Sequence, residues 1–176
     1  MALVQQNLVP GTRDRLLTLD TETNLEWLDL TATLNLSYLD VQGGAGDYLT
    51  TYGFRYATGA ELRVLLDHAG VTKFSPTQVV PSPESNHAAI ETLIELMGGR
   101  SLNASNASGT VLVQTQGMMK FQGPGTPAAN VPTAVSQLWL FKHHPSGSYA
   151  DTNPGGPAGS RKPEIGSYLV RNRIVE

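Results

Sequence analysis

Trp27 stands among three acids, Asp20, Glu26 and Asp29. Paired carboxylates beside a ring that can stack on a sugar are the equipment of a glycosidase. Neighbours on a strand point to opposite faces, however, so Glu26 does not share one with Trp27. Large aromatic side chains belong mostly to cores. We read Trp27 as structural and the acids as turn and surface groups. Arg55 and Glu61 could form an active-site pair. The plainer reading is that Glu61 caps its own helix and Arg55 makes a structural ion pair.

Other chemistry is weaker. His143, His144 and Asp151 could ligate a metal. Adjacent residues at a strand end point opposite ways, and no tetrahedral ligand spacing follows. His68 and His87 read as lone residues on helices. Gly43-Gly44-Ala45-Gly46-Asp47 lacks the following helix N-terminus and Lys of a phosphate cradle. Ser146, Ser148 and Ser160 lie in no nucleophile elbow. Asn35-Leu36-Ser37, Asn103-Ala104-Ser105 and Asn106-Ala107-Ser108 match the glycosylation sequon and read as incidental. We expect no enzyme, no cofactor and no metal.

The elements that must position these residues can be read in order. Leu3 to Pro10 is a strand or arm, within an N-terminal segment of residues 1–15. Leu16–Asp20 and Leu25–Leu30 read as strands joined by the polar turn Asp20 to Asn24, a hairpin. Ser37 could cap a short helix through Tyr38, Leu39 and Val41. Tyr52 to Ala57 is a short aromatic strand. Thr58 and Glu61 have the capping-box spacing, Leu62, Leu65, Leu66 and Ala69 make one apolar stripe, and Gly70 sits at the αL position. The spacing predicts a helix over 58–69. A second helix opens at Ser82-Pro83-Glu84 and buries Ile90, Leu93, Ile94 and Met97. Residues 100–108 read as a polar loop. Residues 109–116 and 118–122 read as strands paired across Gln116-Gly117, and 123–132 as a Pro/Gly loop. Residues 134–142, with Trp139, read as a strong strand. Residues 143–163 read as a long loop, and 166–175 as a C-terminal strand. Hairpin, two helices, then strands give an α+β fold: an antiparallel sheet with the helices on one side and long loops.

Bulk composition narrows the function. The 176 residues suit one domain, taken as 16–176. Only 15% are charged, against ~25% in typical domains. Net charge is −3 with no Lys/Arg block, which argues against a nucleic-acid partner. No apolar run reaches the ~18 residues of a membrane span. There are no cysteines, hence no disulfide framework and no thiolate site. No basic, apolar leader opens the chain. The expectation is a product made without export, or one beginning at a mature N-terminus.

Three blocks carry a family resemblance. Leu19-Asp20-Thr21-Glu22-Thr23-Asn24-Leu25-Glu26-Trp27-Leu28-Asp29 resembles a "D-x-x-T-G-L-x-W" opening, with Asn24 where Gly is usual. Asn is the next-best residue for positive φ. Gly53 to Leu62 is similar to "G-W-R-L-P-T-x-x-E-L", and Tyr168 to Arg171 resembles the closing strand. Together they resemble the C-type-lectin-like domains at the C-terminus of the Legionella collagen-like adhesin, and those of exported bacterial proteins carrying PEP-CTERM tails. The resemblance implies a C-type-lectin-like fold with paired N- and C-terminal strands, displaying long loops. It implies a binding or structural module, with Trp27 structural; Arg55, Thr58, Glu61 and Trp139 read as structural on their own residues. The calcium and sugar motifs Glu-Pro-Asn and Trp-Asn-Asp are absent, and so is the sorting tail, so neither function is carried over.

Contacts are expected in the loop of residues 142–163. There Tyr149, Asp151, Asn153, Arg161 and Lys162 sit among Gly, Pro and Ser, the composition of paratopes. The expected function is a non-enzymatic structural or binding module displayed on a virion or cell surface. A bacteriophage decoration, tail or fibre protein, self-assembled or in a lattice, fits the missing leader. The alternative is an exported carbohydrate-binding or matrix adhesion protein contacting a surface glycan.

Overall fold

Residues 17–28 form a hairpin because two apolar strands flank a turn that supplies its own hydrogen bonds. In a computed structural model, which describes residues 3–72, 86–98, 100–102, 112–119, 134–141, 149–154 and 159–174, β2 (Leu17–Asp20) pairs antiparallel with β3 (Leu25–Leu28). Asp20 Oδ1 accepts from the Glu22 and Thr23 amides at 3.0 and 3.4 Å. Asn24 takes φ 57°, the left-handed conformation that Asn tolerates. The second strand stops at Leu28, two residues short of the sequence reading. Asp29 accepts from Thr31 N and caps a 3-10 turn, Leu30–Thr33.

The hairpin lies in a five-stranded antiparallel sheet. Its other members are β1 (Leu3–Gln6), β4 (Arg55–Tyr56) and β10 (Leu169–Asn172), in the order β1-β2-β3-β10-β4. The N-terminal and C-terminal strands share this sheet but are not neighbours. β10 is inserted between β3 and β4, with Val170 opposite both Trp27 and Arg55.

Thr58 caps α2 (Gly59–His68) with its side chain accepting from Glu61 N, while Glu61 reaches back to Thr58 N. Gly70, at φ 93°, follows the helix. α3 (His87–Leu96) buries Ile90, Leu93 and Ile94, and Met97 follows, also buried. The Ser82-Pro83-Glu84 opening lies outside the described residues. The last carbonyls of α3 lack helical partners, as all helix ends do. The sheet side supplies them: Thr18 Oγ1 donates to Leu96 O at 2.8 Å and Leu30 N to Met97 O at 3.0 Å.

The sheet is covered on both faces. Trp27, Val170 and Leu3 pack with Leu62, Leu65, Leu66, Ile90 and Leu93. On the opposite face Leu17, Leu28, Tyr56 and Leu169 pack with Val41 and Phe54, with Tyr38 against them. Tyr38 and Val41 belong to α1 (Tyr38–Gln42), which Ser37 caps. The two long helices, α2 and α3, therefore lie on one side, as the sequence reading had it, and the short α1 covers the other. Both strand parities in β2, β3 and β10 are apolar enough to require cover.

A second sheet contains β5 (Arg100–Leu102), β6 (Leu112–Met119), β7 (Ala134–Phe141) and β8 (Tyr149–Pro154) in that order, with β9 (Gly166–Ser167) parallel to β6. Three sequence expectations give way here. Part of the 100–108 loop is β5, part of the 143–163 loop is β8, and residues 112–119 run through Gly117 as one strand. Long-range pairing overrides the polar composition of β5 and β8. Gly117 marks a close approach, since a Cβ there would lie 2.6 Å from Leu30 Cδ2 and 2.7 Å from the Tyr168 ring. β9 and β10 stitch the sheets together: Tyr168 between them donates its N–H to Met118 O, and its carbonyl accepts from Ala57 N, both at 2.8 Å.

No helix among the described residues is long and apolar enough to cross a membrane.

Candidate functional site

Three acids read as surface or turn groups turn out to be buried: Asp20, Glu26 and Asp29 are 1%, 5% and 8% exposed. Each is compensated. Asp29 caps the 3-10 turn. Asp20 Oδ2 lies 2.8 Å from His68 Nδ1, whose Nε2 is 3.3 Å from Glu22 Oε2. Burial alone would raise Asp20. The His68 hydrogen bond, with those from Thr23 and Glu22, outweighs it and holds the carboxyl below its ordinary value. His68 is thus not a lone helical histidine but the link between α2 and the hairpin turn.

Glu26 makes the third pairing. Antiparallel register sets it directly opposite Arg171, and directly opposed side chains on one face meet. Arg171 Nε donates to Glu26 Oε2 at 2.7 Å and Nη1 to Tyr52 O at 2.9 Å. The guanidinium carbon stands 4.7 Å from the centre of the Phe54 ring, within cation–π range.

This pair lies at the base of an open cleft of about 540 Å³ on the face opposite α2 and α3. Gln6, Leu8, Thr51, Tyr52 and Arg173 are among its walls. Clefts of roughly 300–1,000 Å³, mostly apolar with a few placed polar groups, are where small ligands bind. Arg173 is exposed. Its main chain is pinned by a 2.9 Å bond from its N–H to Asn24 O. Sequence reasoning missed this site, because its two central charges are 145 residues apart in the chain.

The residues nominated from sequence are dispersed. Arg55 binds Glu61 with both terminal guanidinium nitrogens, Nη1 and Nη2. Arg55 first, against burial and with help from Thr58, lowers Glu61 to about 2. Arg161 makes a two-point bond to Asp40, 2.7 Å at each contact. With Ser37 it holds that carboxyl well below the usual range. Arg161 therefore fastens residues 161–165 to the cap of α1. Lys162 contributes its carbonyl, which accepts from Asn35 N at 3.2 Å. Tyr149, Asp151 and Asn153 are positions of β8, opposite Trp139, Gln137 and Val135. Trp27 is 1% exposed, and its indole N–H finds no acceptor among the described residues. A sugar cannot stack on a ring so enclosed.

His143, His144, Ser146, Ser148 and the two sequons at 103–108 lie outside the described residues. Among the described residues no group of three His, Cys, Asp or Glu side chains could hold a metal ion. No protein-family model, curated protein or solved structure matches the chain.

Proposed function

We propose that the chain is a non-enzymatic, surface-displayed module of C-type-lectin-like fold whose work is binding or assembly. The observation that carries this reading is the meeting of three sequence blocks far apart in the chain. Residues 25–28, 169–172 and 55–56 lie side by side as β3, β10 and β4, with Trp27 and Arg55 flanking Val170. These are the blocks on which the family resemblance rests.

Four carboxylates read as structural anchors rather than general acids. Asp14, Asp20, Asp40 and Glu61 all shift downward. Carboxylates held ionised by capping amides, guanidiniums and His68 are anchors. A general acid needs the opposite shift. In this reading the chain is a virion component, such as a bacteriophage decoration, tail or fibre protein, locked by copies of itself or by other structural proteins. Exposed Val4 on the edge strand β1 (45%) suits such a contact.

The test is mass in solution by light scattering over a dilution series, with hydrogen exchange read on residues 1–15 and 142–163. A stable oligomer protecting both segments is expected. A monomer exchanging freely in both would overturn self-assembly. A second reading, a carbohydrate-binding module of an exported protein, is favoured by the polar cleft over Glu26 and Arg171.

A further inference from the structure

Two arginines from the same strand end meet different fates at the cleft. Arg171 is 8% exposed and is anchored through Nε to Glu26 and Nη1 to Tyr52 O, beside the Phe54 ring. Arg173, two residues on and outside the strand, lines the same cleft. Its guanidinium has no hydrogen-bond or ion-pair partner among the described residues. The base of the cleft is therefore neutral as a pair, and the wall carries one uncommitted positive charge.

A buried ion pair is weak evidence for stability, since apolar residues of the same volume do as well or better. Its presence beneath an opening asks for another use. Here it sets a carboxylate acceptor and guanidinium donors side by side. Thr51 and Gln6 add a hydroxyl and an amide, and Tyr52 adds a ring on the rim. Alternating donors and acceptors beside an aromatic edge match a set of neighbouring hydroxyls, each of which both donates and accepts. The volume suits one or two sugar rings.

Other ligands fit less well. Among the described residues no helix begins at the cleft to offer the oriented N–H groups that hold a phosphate. A simple carboxylate would use Arg173 and bring no hydroxyls to the Glu26–Arg171 base. A neutral sugar would leave Arg173 idle. We propose that this cleft binds a sugar acid, a uronic-acid type of ring either free or at the end of a polysaccharide, with Arg173 on the carboxylate and the Glu26–Arg171 base on the hydroxyls.

This inference deepens the carbohydrate reading and stands apart from self-assembly, which is judged by mass in solution. The test is ligand-observed NMR on the full chain with methyl glucuronide, methyl glucoside and acetate as probes. The glucuronide is expected to bind about tenfold more tightly than either of the others, and Arg173→Ala to remove that advantage. Arg63→Ala, an exposed arginine on α2 across the sheet, should leave it intact. Arg173 supports no core contact, so its loss leaves the fold available for the comparison. Glucuronide binding no tighter than glucoside, acetate binding as tight as glucuronide, or glucuronide binding unchanged in Arg173→Ala would each overturn the proposal.

Discussion

Replacing Glu26 by alanine strands the Arg171 guanidinium inside the sheet with its main partner gone. The expected cost is roughly 3–5 kcal/mol, because an uncompensated buried charge remains. The double change Glu26→Leu with Arg171→Met removes both charges and should recover most of that loss. Denaturant midpoints of the two variants check both statements, and equal losses would show that packing rather than charge sets the cost. A gentler case is Thr58→Ala, which removes the oxygen that accepts from Glu61 N. It should cost about 1 kcal/mol, the usual effect of a lost N-cap. Acid dependence follows from Glu61, whose carboxyl falls from 4.5 to about 2 on folding. A depressed carboxylate contributes stability above its unfolded value and loses it as pH falls through its folded one. That contribution is whole above pH 4.5 and gone below about 2. Urea unfolding between those limits should show a shallower loss for Glu61→Gln than for the parent chain.

At the scale of elements, what could be read locally was read. α2 is specified within its own residues by a capping box, an apolar stripe and Gly70, so the 58–69 reading and the structure agree to within a residue at each end. The hairpin turn was legible for the same reason, since Asp20 and Asn24 act on their own backbone. β5 and β8 were not legible. Ser101 and the run Tyr149-Ala150-Asp151-Thr152-Asn153-Pro154 have loop composition, and only pairing with β6 and β7 makes them strands. Gly117 read as a turn because its actual constraint, the Leu30 and Tyr168 side chains packed over it, comes from residues distant in sequence. Gly166 is tighter still: a Cβ there would run into the Leu30 carbonyl. Backbone cannot rotate aside as a side chain can. Gly166→Ala should therefore lie at or above the upper end of the roughly 1–3 kcal/mol range for overpacking. A thermal melt of that variant within error of the parent would contradict the close approach of β9 to the 3-10 turn.

For the whole molecule, the sequence resolves the fold class but not the joint between its parts. An α+β chain with an antiparallel sheet was readable from the order of hairpin, helices and strands. The cleft was not, because it exists only where β1, the 51–52 loop and the end of β10 converge. The ion pair at its base depends on register between strands 145 residues apart. The same strand carries the rest of the account: β10 pairs with β3 and β4, and Tyr168 ties it to β6. Stability is distributed unevenly in proteins, and core strands open only with global unfolding. Residue-resolved amide hydrogen exchange on 169–172, compared with edge strand β1, tests the central place of this strand most directly. The expected result, at a dilution where any oligomer has dissociated, is that Leu169, Val170 and Arg171 exchange at the rate of global unfolding while Val4 and Gln5 exchange far faster. Exchange of 169–171 as fast as that of the edge strand would contradict it, and with it the side-by-side arrangement of the three blocks.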